Sequence, residues 1–258
     1  MKIIAVANQK GGVGKTTTAV NLSAALAELG RRTLLIDLDP QANATSGVGV
    51  EITAGRSLYY PLIGQGSASD QIVATVFENL SLIPAEIDLA GCEVEIARLE
   101  RPLARMAEVL HPLKNSGDFD HIILDCPPSL GILMTSALAA ADGLLIPVQC
   151  EFYALDGISK ISGLVERLRT EGANPGLEIA GVVMTMFDAR TRLSPQVVTE
   201  LKAYYGDKLF KTIIPRSIRL GEAPSFGKPI LSYDPSGTGA QSYRQLAKEF
   251  VARLTATR

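Results

Sequence analysis

Six short stretches of the chain are almost continuously apolar and rich in β-branched residues: Ile3–Ala7, Thr33–Asp37, His121–Asp125, Gly143–Val148, Ile179–Phe187 and Phe210–Ile214. Apolar runs of strand length without polar alternation predict strands covered on both faces. Between them the apolar positions change to a helical spacing. Helices are expected over Thr16–Leu29, closed by Gly30 just past its end, over a long segment from about Leu89 to Leu113, and over Ile132–Ala141, Leu155–Thr170 and Pro195–Tyr205. A last helix, Ala240–Leu254, sets Tyr243, Leu246, Ala247, Phe250, Val251 and Leu254 on one face, a stripe expected to pack on the sheet. Strands alternating with helices predict an α/β fold: a doubly wound, mostly parallel sheet flanked by helices, with ligands at the carboxyl ends of the strands. The stretch from Gly47 to Gln71, punctuated by glycines, is the least regular and reads as a loop-rich excursion.

Composition narrows this picture in two ways. A chain of 258 residues, 47% hydrophobic and 20% charged, can bury a sizeable core, and one domain over residues 1–258 is expected. The three cysteines, Cys92, Cys126 and Cys150, are too scattered for a disulfide framework or a zinc site and point to a reducing cytoplasm. No apolar stretch reaches the ~18 residues of a membrane span, so a soluble protein is expected. The net charge of -2 hides an asymmetry: residues 1–188 carry 13 basic and 22 acidic side chains, whereas residues 189–258 carry 12 basic and 5 acidic ones. The C-terminal quarter is basic.

The first strand runs into the glycine-rich turn of "VANQKGGVGKTTTAV" and then into a helix starting near Lys15, the setting a phosphate-binding loop requires. Backbone N–H groups of Gly12, Val13, Gly14, Lys15, Thr16 and Thr17 are expected to face phosphates, with Lys15 reaching the β- and γ-phosphates and the Thr16 hydroxyl ligating Mg²⁺. The match to G-x-x-x-x-G-K-[ST] is imperfect, because Gln9 stands where the first glycine belongs. The pattern is K-G-G-x-G-K-T, and it holds a second lysine, Lys10.

"KGGVGKTT" resembles the deviant Walker A motif of the ParA/MinD group of ATPases. The longer runs "NQKGGVGKTTTAVNL" and "LLIDLDPQANATSG" are similar to the chromosomal ParA (Soj) branch. The resemblance continues through "IILDCPPSLG", "IPVQCEFYALDG", "MTMFDART" and "IPRSIRLGEAPSFGKPI", over nearly the whole chain. It implies a P-loop NTPase fold, an ATPase using ATP and Mg²⁺, and an ATP-dependent homodimer. In such a dimer Lys10 is the signature lysine that contacts the phosphates held by the other subunit, and Gly11 and Gly12 are small because the two loops approach closely. Asp39 is assigned by the resemblance to orient the attacking water, and a carboxylate near that water suits phosphoryl transfer. Asp125 takes the Walker B position and holds Mg²⁺ through water, and Pro127 and Pro128 stiffen the switch that follows. The loops nominated to line the base contain Met186, Asp188, Pro215 and Ser217. Cys126 is expected to be a buried small residue and no nucleophile.

Eight basic residues between Arg190 and Lys228 could gather on one face and follow a phosphate backbone without reading sequence. The resemblance implies nonspecific binding of double-stranded DNA by the ATP-bound dimer, with Arg190 and Arg219 as the main candidates beside Arg192 and Arg216. It further implies a ParB-like centromere-binding partner that stimulates hydrolysis, and a cytoplasmic, nucleoid-associated protein with no membrane partner. A MinD-like membrane-cycling ATPase is the alternative, but it needs an amphipathic tail beyond a helix that is expected to be used in packing. An iron–sulfur reductase sharing "KGGVGK" fits poorly, because Cys126 directly follows Asp125 instead of lying several residues downstream.

Overall fold

In a computed structural model, which describes residues 1–151 and 154–256 apart from the side chains of residues 154–157 and 256, the apolar runs assemble into one eight-stranded sheet. Its strands are β1 (Lys2–Val6), β2 (Thr33–Asp37), β3 (Val73–Ala74), β4 (Leu80–Ile83), β5 (His121–Asp125), β6 (Gly143–Gln149), β7 (Glu178–Phe187) and β8 (Leu209–Pro215). They lie in the order β3-β4-β2-β5-β1-β6-β7-β8. All neighbours are parallel except the short pair β3 and β4. The doubly wound expectation is met. β3 and β4, at two and four residues, lie next to the irregular excursion and were too short to register as strands in the sequence.

Helices α1 (Lys15–Glu28), α2 (Asn43–Gly47), α3 (Tyr59–Leu62), α4 (Leu89–Ile96), α5 (Arg105–Ser116) and α6 (Ile132–Ala140) are followed by α7 (Ala154–Thr170), α8 (Leu193–Tyr205), α9 (Ile218–Glu222), α10 (Ile230–Tyr233) and α11 (Thr238–Ala256). The single helix expected from Leu89 to Leu113 is in fact two, α4 and α5. Pro102 divides them: Arg101 before it has φ -130° and ψ 69°, because the proline ring disfavours helical backbone in the preceding residue. The excursion over residues 47–71 contains α3 and is tied down from outside. The buried Glu86 carboxylate accepts the Gly55 N–H at 2.8 Å and the Ser57 hydroxyl at 2.6 Å. The start of the expected helix Leu155–Thr170 and part of the "EFYALDG" run lie outside the described side chains.

The continuous apolar strands follow from the two layers that cover them. Ile3 and Ala5 of β1 face a core shared with α5, α6, α7 and α8, while Ile4 and Val6 face one shared with α1 and α11. The apolar stripe of α11 packs there as expected, with Tyr243, Leu246, Ala247 and Phe250 buried.

α11 also closes the sheet at β8. The Glu249 carboxylate accepts the N–H groups of Lys211 (2.8 Å) and Thr212 (3.0 Å) and the Thr212 hydroxyl (2.8 Å). Arg253 holds Glu249 at 2.8 Å, donates to the carbonyls of Asp207 and Leu209, and stacks over the Phe210 ring at 4.0 Å. Replacing Glu249 by Ala strands these backbone donors and is expected to cost about 1–3 kcal/mol. A urea titration checks this, and an unshifted midpoint would show that water satisfies the edge equally well.

Candidate nucleotide-binding site

The parallel register sets Val6 and Asp37 on either side of Asp125, so β1, β2 and β5 deliver the loop and both carboxylates to the same end of the sheet. The loop after β1 turns through Gly12 (φ 73°) and Gly14 (φ 86°), backbone that L side chains rarely adopt. Gly14 then caps the start of α1. Gly11 is different: its φ is not left-handed, and no heavy atom stands within 4 Å of a Cβ built on it. A Cβ there would meet no described residue outside its immediate chain neighbours.

Two side chains not singled out in the sequence brace the loop. Buried Asn8 accepts the Lys10 N–H at 3.1 Å and donates to the Pro147 carbonyl at 2.8 Å. Buried Thr185 of β7 donates to the Val13 carbonyl at 2.8 Å. An amide followed by the K-G-G run was the available signal for Asn8, whereas Thr185 carries none.

A cleft of about 260 Å³ opens over the loop. Gly11, Gly12, Gly14, Lys15, Thr16 and Thr17 line it from below, and Asp39, Asn43, Pro128 and Met186 from the neighbouring strand ends. Lys15 is 8% exposed and donates from Nζ to the Lys10 carbonyl at 3.0 Å. Burial lowers its pKa, opposed by the nearby carboxylates of Asp125 and Asp39. Lys10 does not line the cleft; its ammonium pairs with Glu151.

Asp125 is fully buried, and neither of its oxygens has a hydrogen-bond partner among the described residues. Burial raises its pKa well above the ordinary carboxylate range, the charge of Asp37 adds to the rise, and the Thr16 hydroxyl and Lys15 ammonium oppose it. An orphaned carboxylate beside Thr16 at a phosphate cleft fits Mg²⁺, which keeps several waters and uses one or two protein groups plus phosphates. Among the described residues no cluster of three or more His, Cys, Asp or Glu could hold an ion by itself. Cys126 is buried and its thiol is pushed up by that burial, which leaves it inert as expected.

The nominated base-lining residues divide. Met186, at φ 53°, lines the cleft. Asp188 stands outside it, its carboxylate held by Arg190 at 2.9 and 2.7 Å and its pKa driven far down by that guanidinium. Pro215 ends β8 and Ser217 precedes α9, both half-buried and outside the cleft. A second groove of about 460 Å³ shares Thr16, Thr17 and Asn43 with the cleft and runs on between α1, α2 and residues 223–228, past Pro224, Ser225 and Lys228. These residues had no phosphate chemistry to announce them in the sequence. Gly49 and Gly227 seal the far side of that loop: a Cβ on Gly49 would come within 2.8 Å of the Gly227 carbonyl oxygen, and one on Gly227 within 2.8 Å of the Gly49 Cα.

Arg190, Arg192, Arg216 and Arg219 are all exposed. Arg219 bonds Glu222 (3.2 Å) and lies 5.9 Å over the Tyr233 ring, while Arg192 and Arg216 form no salt bridge among the described residues.

A family profile described as an AAA domain matches residues 1–179. The sporulation initiation inhibitor protein Soj of Bacillus subtilis is 52% identical over 252 residues, covering 97% of this chain and 98% of its own. The chromosome-partitioning ATPase Soj of Thermus thermophilus is 49% identical, covering 97% and 96%. Among solved structures, the cobyrinic acid a,c-diamide synthase of Mycobacterium smegmatis with bound ADP and magnesium superposes with a TM-score of 0.86 at 34% identity, covering 100% of this chain and 97% of that one. With the glycine-rich loop and this end-to-end likeness in agreement, the chain belongs to the Soj/ParA family of chromosome-partitioning ATPases.

Proposed function

We propose that the protein is a ParA-type ATPase that binds ATP and Mg²⁺, dimerises around two nucleotides, and in that state binds double-stranded DNA without reading its sequence. The observation that carries this is Lys10. Its ammonium lies outside the phosphate cleft of its own chain, against Glu151, both side chains being about one-third exposed. A cation outside its own chain's phosphate cleft supports a role on the phosphates of another copy, where two facing triphosphates would otherwise repel. Gly11, beside Lys10 at the cleft, has open space around its missing side chain, which leaves room there for close approach by phosphates or by a second copy. The triphosphate lies over Gly12 to Thr17, with the nucleoside in the groove beside Thr17, Pro224 and Ser225. Mg²⁺ supplies charge neutralisation at the phosphates; Thr16 and Asp125 hold it, and Asp39 orients the water.

DNA is gripped by the exposed arginines at positions 190, 192, 216 and 219. Two copies of a weak basic surface, joined rigidly, bind far better than one because the second engagement is intramolecular. Hydrolysis, stimulated by a ParB-like centromere-binding partner, separates the copies and releases the duplex, which places the protein in the cytoplasm at the nucleoid. The apolar face of α11 is consumed in the core, and among the described residues no helix is long and apolar enough to cross a membrane.

Light scattering of the Asp39→Ala protein in saturating Mg-ATP tests the central step: a dimer is expected, and a persistent monomer would remove the reading. In filter binding, DNA retention by that protein should need ATP and fall with salt, and Arg219→Glu should shallow the log–log salt slope by about 2, one contact per protomer. Unchanged retention by Arg219→Glu would remove this surface from the DNA interface.

A further inference from the structure

We propose that Asp37 and Thr45 are positioning residues for hydrolysis, which fix the loop between them so that Asp39 stays at the phosphate cleft. The inference rests on the role given above to Asp39 and adds how that role is maintained. Asp37 is fully buried, and its carboxylate accepts three hydrogen bonds. Oδ1 accepts the Asp39 N–H at 3.1 Å, and Oδ2 accepts both the Thr45 N–H and the Thr45 hydroxyl at 2.8 Å. One carboxylate therefore holds both ends of the segment that carries Asp39.

Thr45 is itself fully buried and uses its hydroxyl twice. It gives its proton to Asp37 and accepts the Ala85 N–H at 2.9 Å, which ties the start of α2 to the chain beyond β4. Inside the closed segment every turn is specified. The Asp39 carbonyl accepts the Ala42 N–H at 2.8 Å, Asp39 Oδ1 accepts the Gln41 N–H at 3.0 Å, and Ala42 adopts φ 53°. Asp39 can thus present its second carboxylate oxygen to the cleft without searching for a conformation, which matters because small misplacements of a catalytic group are costly. Asp125, also buried, has no such partners among the described residues. The two acids at the same end of the sheet are therefore built for different tasks, one for an ion and one for a loop.

Thr45→Val keeps the shape and removes the hydroxyl, and Thr45→Ser restores it. Single-turnover hydrolysis of Mg-ATP by Thr45→Val should fall roughly 10- to 100-fold while ATP affinity, set by the loop after β1, stays within about twofold; Thr45→Ser should return the rate to near wild type. In an Asp39→Ala background Thr45→Val should add nothing, because the two act through one group. Wild-type hydrolysis by Thr45→Val beside an inactive Asp39→Ala protein overturns this inference alone, as does a parallel loss of ATP affinity or a further loss in the double variant. Wild-type hydrolysis by Asp39→Ala overturns the water-orienting role itself. Should Thr45→Val not fold, Asp37→Asn, which turns one acceptor into a donor facing an N–H, carries the same measurements with the same expected split.

Discussion

Lys15→Ala protein is expected to lose most of its affinity for Mg-ATP, and with it the proposed dimerisation and DNA retention. This is the largest effect expected from any single change. Lys15 is the buried ammonium of the cleft, already partly desolvated, and the neighbouring carboxylates of Asp125 and Asp39 favour its charged form. Its position is set before any ligand arrives, because Nζ rests on the Lys10 carbonyl at 3.0 Å. A charge-assisted contact to phosphate in a cleft of this kind contributes about 3–5 kcal/mol when its loss leaves the opposite charge unpaired, so ATP affinity should fall by roughly 100-fold or more. Titration with a fluorescent ATP analogue measures this directly. Alanine suits the first turn of α1, so circular dichroism should show the fold intact. Affinity preserved within a few-fold would mean that the triphosphate lies elsewhere.

Asp125→Asn should move two quantities in opposite directions. Asp125, without a hydrogen-bond partner among the described residues, lies beside Asp37 at the carboxyl ends of the strands, and both are raised in pKa chiefly by burial. An acid whose folded pKa lies above its unfolded value stabilises the fold while protonated, and that contribution is lost as pH rises through the raised value. Metal-free wild type is therefore expected to weaken as pH climbs through about 6, the value to which Asp37 is pushed. Asp125→Asn removes one of the two charges, should flatten that dependence, and should raise the melting temperature at neutral pH by roughly 3–8 °C. Mg²⁺-dependent stabilisation by ATP and Mg²⁺-dependent hydrolysis should both disappear. Thermal melts across pH, with and without Mg-ATP, separate the outcomes; a less stable metal-free variant would show that Asp125 has a structural partner after all.

Much of this molecule could be read before any coordinates. β2 and β5 coincide with the predicted Thr33–Asp37 and His121–Asp125 because a strand sandwiched between helix layers leaves an uninterrupted apolar run. The phosphate loop was legible because its chemistry is local: consecutive N–H groups, glycines and a lysine fall within eight residues. What escaped was built across the chain. Asn8 reaches Pro147, Thr185 reaches Val13 and Thr45 reaches Ala85, and no spacing in the sequence records such contacts. The division of α4 from α5 was missed for a local reason, Pro102, whose punctuation was outweighed by the apolar periodicity around it. Asp188 was nominated for the base, but it stands outside the cleft and its charge is spent on Arg190 two residues away.

The treatment of β8 has a consequence for how copies of this chain can join. Glu249 and Arg253 occupy the Lys211 and Thr212 N–H groups and the Leu209 carbonyl of β8, and at the other end β3 offers only Val73 and Ala74. Both margins are poorer templates for a neighbour's strand than a long bare edge would be. Growth into filaments by lateral strand addition is thereby disfavoured, and higher assembly falls to side-chain surfaces.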